Sequence, residues 1–339
     1  MKLSRIAPSA IAALALGAVL VACSSTPAEN SSTPAAGSSA SADSTEIVPA
    51  DIVVGVGGQL SNTDVFAAVQ DGFFADEGLT ATTQVLTAGS NAIPQLLSGE
   101  LTFATVDTTT AINATQQDVG ITTVATNTVG IKDDTGYGMI VAGADSGIAT
   151  PKDLEGKKVQ VNALGGTAQV LTQASVQKDG GDPSKVQFVE IAPPQAIAAL
   201  QAGQVDAAVL SEPNVTAAKA LGFTAVFNPE QNTVPGLPTF VFVTSTAFAE
   251  QNPQVVRQFQ RAILAANQAL VEDPEQIRTI AATSTQVPAD VLADIAGLPQ
   301  FGTEQITGDQ VQQYIDLLVE FGALESDAVP TGDQVVWAG

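Results

Sequence analysis

Histidine is absent from this chain of 339 residues, and cysteine occurs once, as Cys23. Without an imidazole there is no Ser-His-Asp or Cys-His relay, and the usual zinc ligand is missing. A single cysteine can close no disulfide within the chain and can build no thiolate cluster. Basic side chains are also scarce: 12 Lys and Arg stand against 35 Asp and Glu, a net charge of −23. That balance argues against nucleic acid as a partner, because neutralising phosphates takes clustered Lys and Arg. Aromatic residues make up 5% of the chain, which gives little support to a stacking cage. Neither glycine-rich turn completes a nucleotide motif. Leu60 interrupts the pattern begun by Gly55, and no Lys-Ser/Thr follows Gly165-Gly166-Thr167. Ser175 to Lys178 spells S-x-x-K, but the other parts of a Ser-Lys acyl-transfer set are missing. Asp133-Asp134 falls in a turn rather than in a catalytic pair. No cofactor, metal or catalytic residue is therefore expected.

What is present begins with an export signal. Lys2 and Arg5 precede an apolar run from Ile6 to Leu20, too short and too soon followed by polar sequence for a spanning helix. The run ends in Leu20-Val21-Ala22-Cys23, the pattern of a lipobox, in which cleavage leaves Cys23 as a lipid-modified N-terminus. Residues 1–22 are thus expected to be a lipoprotein signal peptide. Residues 23–46 follow as the lipidated Cys and a disordered tether. Ser, Thr, Ala and Pro dominate that tether, leaving too little apolar bulk to offset ordering entropy.

From about Ile47 the pattern alternates. Short apolar runs at Asp51–Gly58, Thr80–Leu86, Leu101–Val106 and Ile121–Ala125 read as strands, with helical spacing between them. This predicts a βαβ unit with a parallel sheet. The order returns with strands at Lys158–Asn162, Val186–Ile191 and Val205–Leu210. Laying Gly99 on Gly203 aligns Asn91-Ala92-Ile93 with Gln195-Ala196-Ile197, and strand tip Asp107-Thr108 with Ser211-Glu212. The repeated order of helix, glycine, strand and polar tip implies two similar α/β lobes. Two further strands, Gly138–Ala142 and Thr239–Thr244, bracket the second set as a two-strand hinge would. The expected lobes are 47–142 plus 240–339, and 143–239. C-terminal helices, with Val256, Phe259, Ile263 and Leu270 on one face, are expected to cover the first lobe.

Four stretches carry a family resemblance: FAAVQDGFFADEGL (66–79), GSNAIPQLLSG (89–99), DLEGKKVQV (153–161) and AALQAGQVDAAVLSEP (198–213). In this order the chain resembles the solute-binding lipoproteins of bacterial ABC importers. More narrowly, it is similar to those for sulfonates, nitrate, taurine and thiamine-precursor pyrimidines. The resemblance implies a type II periplasmic-binding fold whose lobes close on a small molecule. It also implies an ABC permease with its ATPase as partner, membrane attachment through Cys23, an extracytoplasmic location and a monomer. A sensing lipoprotein without a transport role is the alternative. A pyrimidine-precursor enzyme is disfavoured by the lipobox and the missing His.

Facing lobes would turn the carboxyl ends of their strands toward each other, where ligands of open α/β sheets bind. The candidate ligand-binding residues are Gln59, Ser61, Asn62, Gly89, Ser90, Asn91, Asp107 and Thr108 in the first lobe. In the second they are Gly165, Gly166, Thr167, Ala168, Ser211 and Glu212. The Gly165-Gly166-Thr167 turn opens a helix whose free N–H groups favour negative charge. No candidate loop contains Lys or Arg, so an anion there would rest on amides and hydroxyls. Asp107 and Glu212 could accept N–H groups from an amine or a pyrimidine. A ligand with an acid at one end and an amine at the other reconciles both features. Phe66, Phe103 and Phe188 read as core, and Tyr137 as the best exposed aromatic.

Overall fold

The computed structural model describes residues 47–86, 91–132, 136–285, 287–324 and 328–339, and not the side chain of Pro194. The signal peptide, Cys23, the tether, Gly89, Ser90 and Asp133-Asp134 lie outside the described residues. The first lobe begins with β1 (Ala50–Val56), α1 (Thr63–Gln70), α2 (Phe73–Asp76) and β2 (Leu79–Val85). It continues with α3 (Ala92–Ser98), β3 (Phe103–Asp107), α4 (Thr108–Gln116) and β4 (Ile121–Val129). The chain then crosses into β5 (Gly138–Gly143), β6 (Lys158–Val161), α5 (Thr167–Lys178) and β7 (Gln187–Glu190). After these come α6 (Pro193–Gln201), β8 (Ala207–Ser211), α7 (Asn214–Ala220), β9 (Phe223–Phe227) and α8 (Pro229–Thr233). It returns through β10 (Pro238–Ser245), α9 (Thr246–Gln251), α10 (Pro253–Glu272), α11 (Glu275–Ser284) and α12 (Ala289–Asp294). The last elements are β11 (Gln300–Phe301), α13 (Gly308–Glu320) and α14 (Gly332–Val335).

Two sheets result, ordered β11-β4-β10-β3-β1-β2 and β7-β6-β8-β5-β9. Apart from β11, they share one plan. The parallel set β2-β1-β3 corresponds to β7-β6-β8, and each set is followed by one antiparallel strand and then a last strand. The alignment of Gly99 on Gly203 holds in the ladders. Val54 pairs with Phe103 as Val159 pairs with Ala207, and the alignment superposes Phe103 on Ala207.

Two expectations need correction. The first sheet is parallel only across β2, β1 and β3, because β10 enters antiparallel between β3 and β4. The lobe limit expected after Ala142 lies earlier in the chain. All of β5 pairs within the second sheet, with β8 on one side and β9 on the other. A strand with both edges bonded has its backbone groups satisfied there, so it cannot count with the first lobe. The chain crosses between Val129 and Gly138, and again between Phe227 and Pro238.

These two crossings lie against each other. The Gly130 N–H donates to the Leu237 carbonyl at 2.7 Å, and the Gly236 N–H donates to the Gly130 carbonyl at 2.8 Å. A Cβ on Gly130 would collide with the Val234 carbonyl oxygen, so this approach requires glycine.

The C-terminal helices cover the first lobe as the apolar spacing implies. Val256, Phe259, Ile263 and Leu270 of α10 are all buried in one cluster with β1, β3 and β10 residues. Phe259 stacks on Phe103 with ring centroids 3.8 Å apart and meets Phe242 edge-on at 5.2 Å. Phe66 and Phe103 are core residues, as read, and Phe188 is half-buried against the second sheet. Trp337 packs on the first-lobe core, with the Arg257 guanidinium 5.7 Å from its ring centre.

The turn after β1 is held from two sides. Asn62 Oδ1 accepts the Gly57 N–H at 2.9 Å, and its Nδ2 donates to Thr105 on β3 at 3.0 Å. Asn127 Nδ2 on β4 donates to the Ser61 carbonyl at 2.8 Å and to Asp64 Oδ2 at 2.7 Å. Asp64 is fully buried. Burial outweighs the hydrogen bonds from Asn127 and Val65 and pushes its carboxyl from 3.8 up to about 7.

Gly130→Ala is expected to lower stability by about 1–3 kcal/mol, read as an earlier midpoint in urea, because the new methyl has no room. Between the two pKa values of Asp64 the folded chain holds a proton that the unfolded chain has released. Its contribution is complete below about pH 4 and is lost as pH rises through about 7. Asp64→Asn should make that decline shallower, measured by urea unfolding at about pH 4.5 and about pH 7.5.

Candidate functional site: the cleft between the sheets

The turns that follow β3 and β6 meet across the lobes. Thr109, in the first turn of α4, shares a 2.7 Å hydrogen bond with Thr167, the first residue of α5. Thr167 Oγ1 also donates to Asp107 Oδ1 at 3.4 Å. The carboxyl ends of β3 and β6 therefore face each other, as the two-lobe reading requires.

The Gly165-Gly166-Thr167 turn is built differently from a simple amide cradle. Gly165 adopts φ +71°, which is what demands glycine there, and its N–H donates to Gln169 Oε1 at 2.9 Å. The Gly166 N–H donates to the Ala163 carbonyl at 3.3 Å. Both glycine amides are thus engaged within the turn. The groups left for a ligand are the first-turn N–H groups of α5 from Thr167 and Ala168 onward, which have no partner inside the helix. No side chain caps that end, and the carboxylate beside it is that of Asp107, reached through the Thr167 hydroxyl.

Both strand-tip carboxylates turn out to cap the helix that follows. Asp107 accepts the Thr110 N–H at 3.0 Å and the Thr110 hydroxyl at 2.6 Å. Glu212 is buried and accepts the Thr216 N–H at 3.0 Å and its hydroxyl at 2.8 Å. Glu212 also accepts the Ala296 N–H at 3.2 Å, from the first lobe's C-terminal segment. Such caps are worth about 1 kcal/mol each, so either carboxylate would contact a ligand while already holding its own helix.

The other candidates scatter in role. Ser61 is buried and hydrogen-bonded to Tyr137. Asn62 is buried and committed to Gly57 and Thr105. Thr108 is buried, its hydroxyl donating to the Pro238 carbonyl at 2.7 Å. Gln59, Asn91 and Ser211 are exposed. Tyr137 is half-buried rather than open, with its backbone carbonyl accepting the Glu212 N–H at 2.8 Å. Burial pushes its phenol well up, with Glu230 and Glu212 adding to the rise and the Ser61 hydrogen bonds opposing it.

Thr109 belongs to the Asp107-Thr108-Thr109 loop that the sequence marks as a candidate. Two residues here escape a sequence reading. Glu230 stands in the first turn of α8, in a segment that reads as a Pro/Gly loop. Asn228-Pro229 before it is a helix-start signal, and Asn228 does cap α8, accepting the Glu230 N–H at 2.8 Å. Burial pushes the Glu230 carboxyl up to about 7, against a hydrogen bond from the Ile131 N–H. Tyr314 on α13 is buried, and burial, followed by the charges of Glu230 and Asp107, raises its phenol well above 10. No sequence signal marks either residue.

Lys157 and Lys185 stay away from this region as the sequence implies, whereas Lys178 Nζ reaches α8 and donates to the Asn232 carbonyl at 2.7 Å. Lys185 pairs with Glu155 at 2.9 Å, and Lys157 Nζ donates to the Ser146 carbonyl at 3.0 Å. Among the described residues, none of the ion pairs involves Asp107, Glu212 or Glu230, and no group of acidic side chains could hold a metal.

Comparison with known proteins fits this architecture. The taurine-binding periplasmic protein of Escherichia coli K12 is 29% identical over 271 residues, covering 76% of this chain and 82% of that one. The formylaminopyrimidine-binding protein of Halalkalibacterium halodurans is 25% identical over 226 residues, 66% of each chain. Both relatives are named for binding rather than for a reaction. In fold, the chain matches the crystal structure of the periplasmic aliphatic sulphonate-binding protein SsuA from E. coli. The TM-score is 0.70 at 19% identity, with 86% of this chain and 92% of that one covered. The NMT1/THI5-like family model matches residues 59–277, from the turn after β1 into α11, and on that match the chain belongs to the NMT1/THI5-like family.

Proposed function

We propose that this protein is the extracytoplasmic solute-capture component of an ABC importer, held at the membrane by lipid on Cys23. Its solute is a small molecule with an acidic group at one end and an amine at the other, of the taurine type. The carrying observation is the contact of Thr167 with Thr109 and Asp107 across the lobes. It sets an uncapped helix N-terminus, which favours an acid, beside a carboxylate that favours an amine. No Lys or Arg stands in the candidate loops to bias the cleft toward a plain anion. The relative named for taurine and the one named for a formylaminopyrimidine support a nitrogen-bearing solute.

The mechanism is capture without covalent chemistry. An open form admits the solute, bending at the Gly130–Leu237 crossings brings α4 and α5 together, and the closed form docks on a permease. The solute would replace the direct Thr109–Thr167 contact with contacts of its own.

A thermal-shift screen tests this reading with taurine, β-alanine, ethanesulfonate, nitrate and hydroxymethylpyrimidine. A ligand that binds only the folded state adds about 2.7 kcal/mol at a hundredfold excess over Kd. Taurine or β-alanine should raise the midpoint clearly. Thr167→Ala should abolish the shift while leaving the empty protein's midpoint nearly unchanged. A shift with nitrate alone, or with none of the five, would sink the proposed solute class.

A further inference from the structure

We infer that Val170 and Leu171 of α5 clasp the two lobes together, so that the protein is held closed before any solute arrives. This rests on the two-lobe capture mechanism above and adds to it what favours closure in the empty protein. By connection α5 belongs to the second lobe, since it joins β6 to β7 of the second sheet. Val176, near its C-terminal end, is buried with Val159 of β6 and Ala207 of β8. Val170 and Leu171 are turned elsewhere. They are 1% and 2% exposed, and neither belongs to the clusters around the second sheet. The cluster that buries them is built from first-lobe residues such as Leu96, Ile112 and Tyr314, with Val234 of the second crossing. At 100° per residue, Val170 and Leu171 lie about 120–140° around the helix from Val176. One helix thus carries two apolar faces, and each is covered by a different lobe.

Polar contacts fix both ends of the same helix. At its N-terminus Thr167 meets Thr109 at 2.7 Å. Near its C-terminus Gln177 Nε2 donates to Glu320 Oε1, at the end of α13 in the first lobe, at 2.9 Å. Between them α5 packs against α13 and against α8 of the second crossing. The 12 residues of α5 span about 18 Å, and the first lobe holds them along that whole length. Bending the lobes apart along this seam would bring water onto Val170 and Leu171, which apolar burial opposes. The exposed Gln177–Glu320 bond exchanges for water with little net change, so the apolar pair decides the balance. An empty protein held closed admits solute only during brief openings, which slows association. It also needs little of the solute's binding energy to reach the closed state.

The test is small-angle X-ray scattering of the purified full chain without solute, so failure of the proposed solute class leaves it standing. Leu171→Ala trims the clasp, and its helical content in circular dichroism should match the wild type. Its radius of gyration should exceed that of the wild type by about 1 Å or more, roughly a twentieth of the value for a compact chain of this size. A folded Leu171→Ala that scatters as the wild type does overturns the clasp. Where Leu171→Ala fails to fold, a surface variant decides. Gln173 and Gln177 line the outer groove of the seam beside Glu320 and Phe321. Gln173→Glu combined with Gln177→Glu sets two carboxylates against Glu320 there without touching the apolar pair. Expansion of this double variant supports the clasp, and wild-type scattering overturns it.

Discussion

Each sheet in this protein is completed by a strand that the other lobe delivers. β10 enters the first sheet between β3 and β4, and β5 enters the second between β8 and β9. The exchange forces the chain to cross twice in the same place, and the two crossings must pass within hydrogen-bonding distance. Gly130 makes that approach possible, bonded to Leu237 and Gly236 where any side chain would strike the Val234 carbonyl. The rest of the functional geometry follows from this constraint. Once both crossings sit together, the ends of β3 and β6 face one gap, and α8 is carried against α5.

The walls of that gap are set by polar residues working as braces. Asn62 and Asn127 fasten the turn after β1 to β3 and β4. Asp107 and Glu212 each secure the first turn of the next helix, and Glu212 also reaches Ala296 in the other lobe. Side chains locked in this way are pre-positioned, so a solute meets a wall that loses little entropy on binding. The N-terminus of α5 carries no side-chain cap, and a ligand's negative end can substitute for it.

Charge is distributed with the same economy. The exposed Lys and Arg residues pair on outer surfaces, as Lys185 does with Glu155 and Arg261 with Glu77. The cleft keeps acceptors, the strand-tip carboxylates Asp107 and Glu212. Burial raises the pKa values of Glu230 and Tyr314, and for Tyr314 the charges of Glu230 and Asp107 add to the rise. A solute bringing both a negative end and a positive end would compensate both sides of such a gap at once.

The sequence by itself determined the local elements and the repeat. Alternating apolar runs, glycines after helices and the Gly99–Gly203 alignment are short-range signals, and they placed β3 and β8 in register. The missing His and the sparse Lys and Arg removed whole classes of chemistry before any fold was known. Strand partners and side-chain partners were decided by the tertiary structure. Nothing near Gly138–Gly143 tells which sheet will bond it, because an apolar run of that length satisfies either one. Asp107 and Glu212 stood out as polar tips, but only the fold shows that each caps its own helix. Val170 and Tyr314 are 144 residues apart in the chain (170 and 314). Their burial in one cluster depends on the return of the chain through the second crossing and on the packing of α13, which no local pattern encodes.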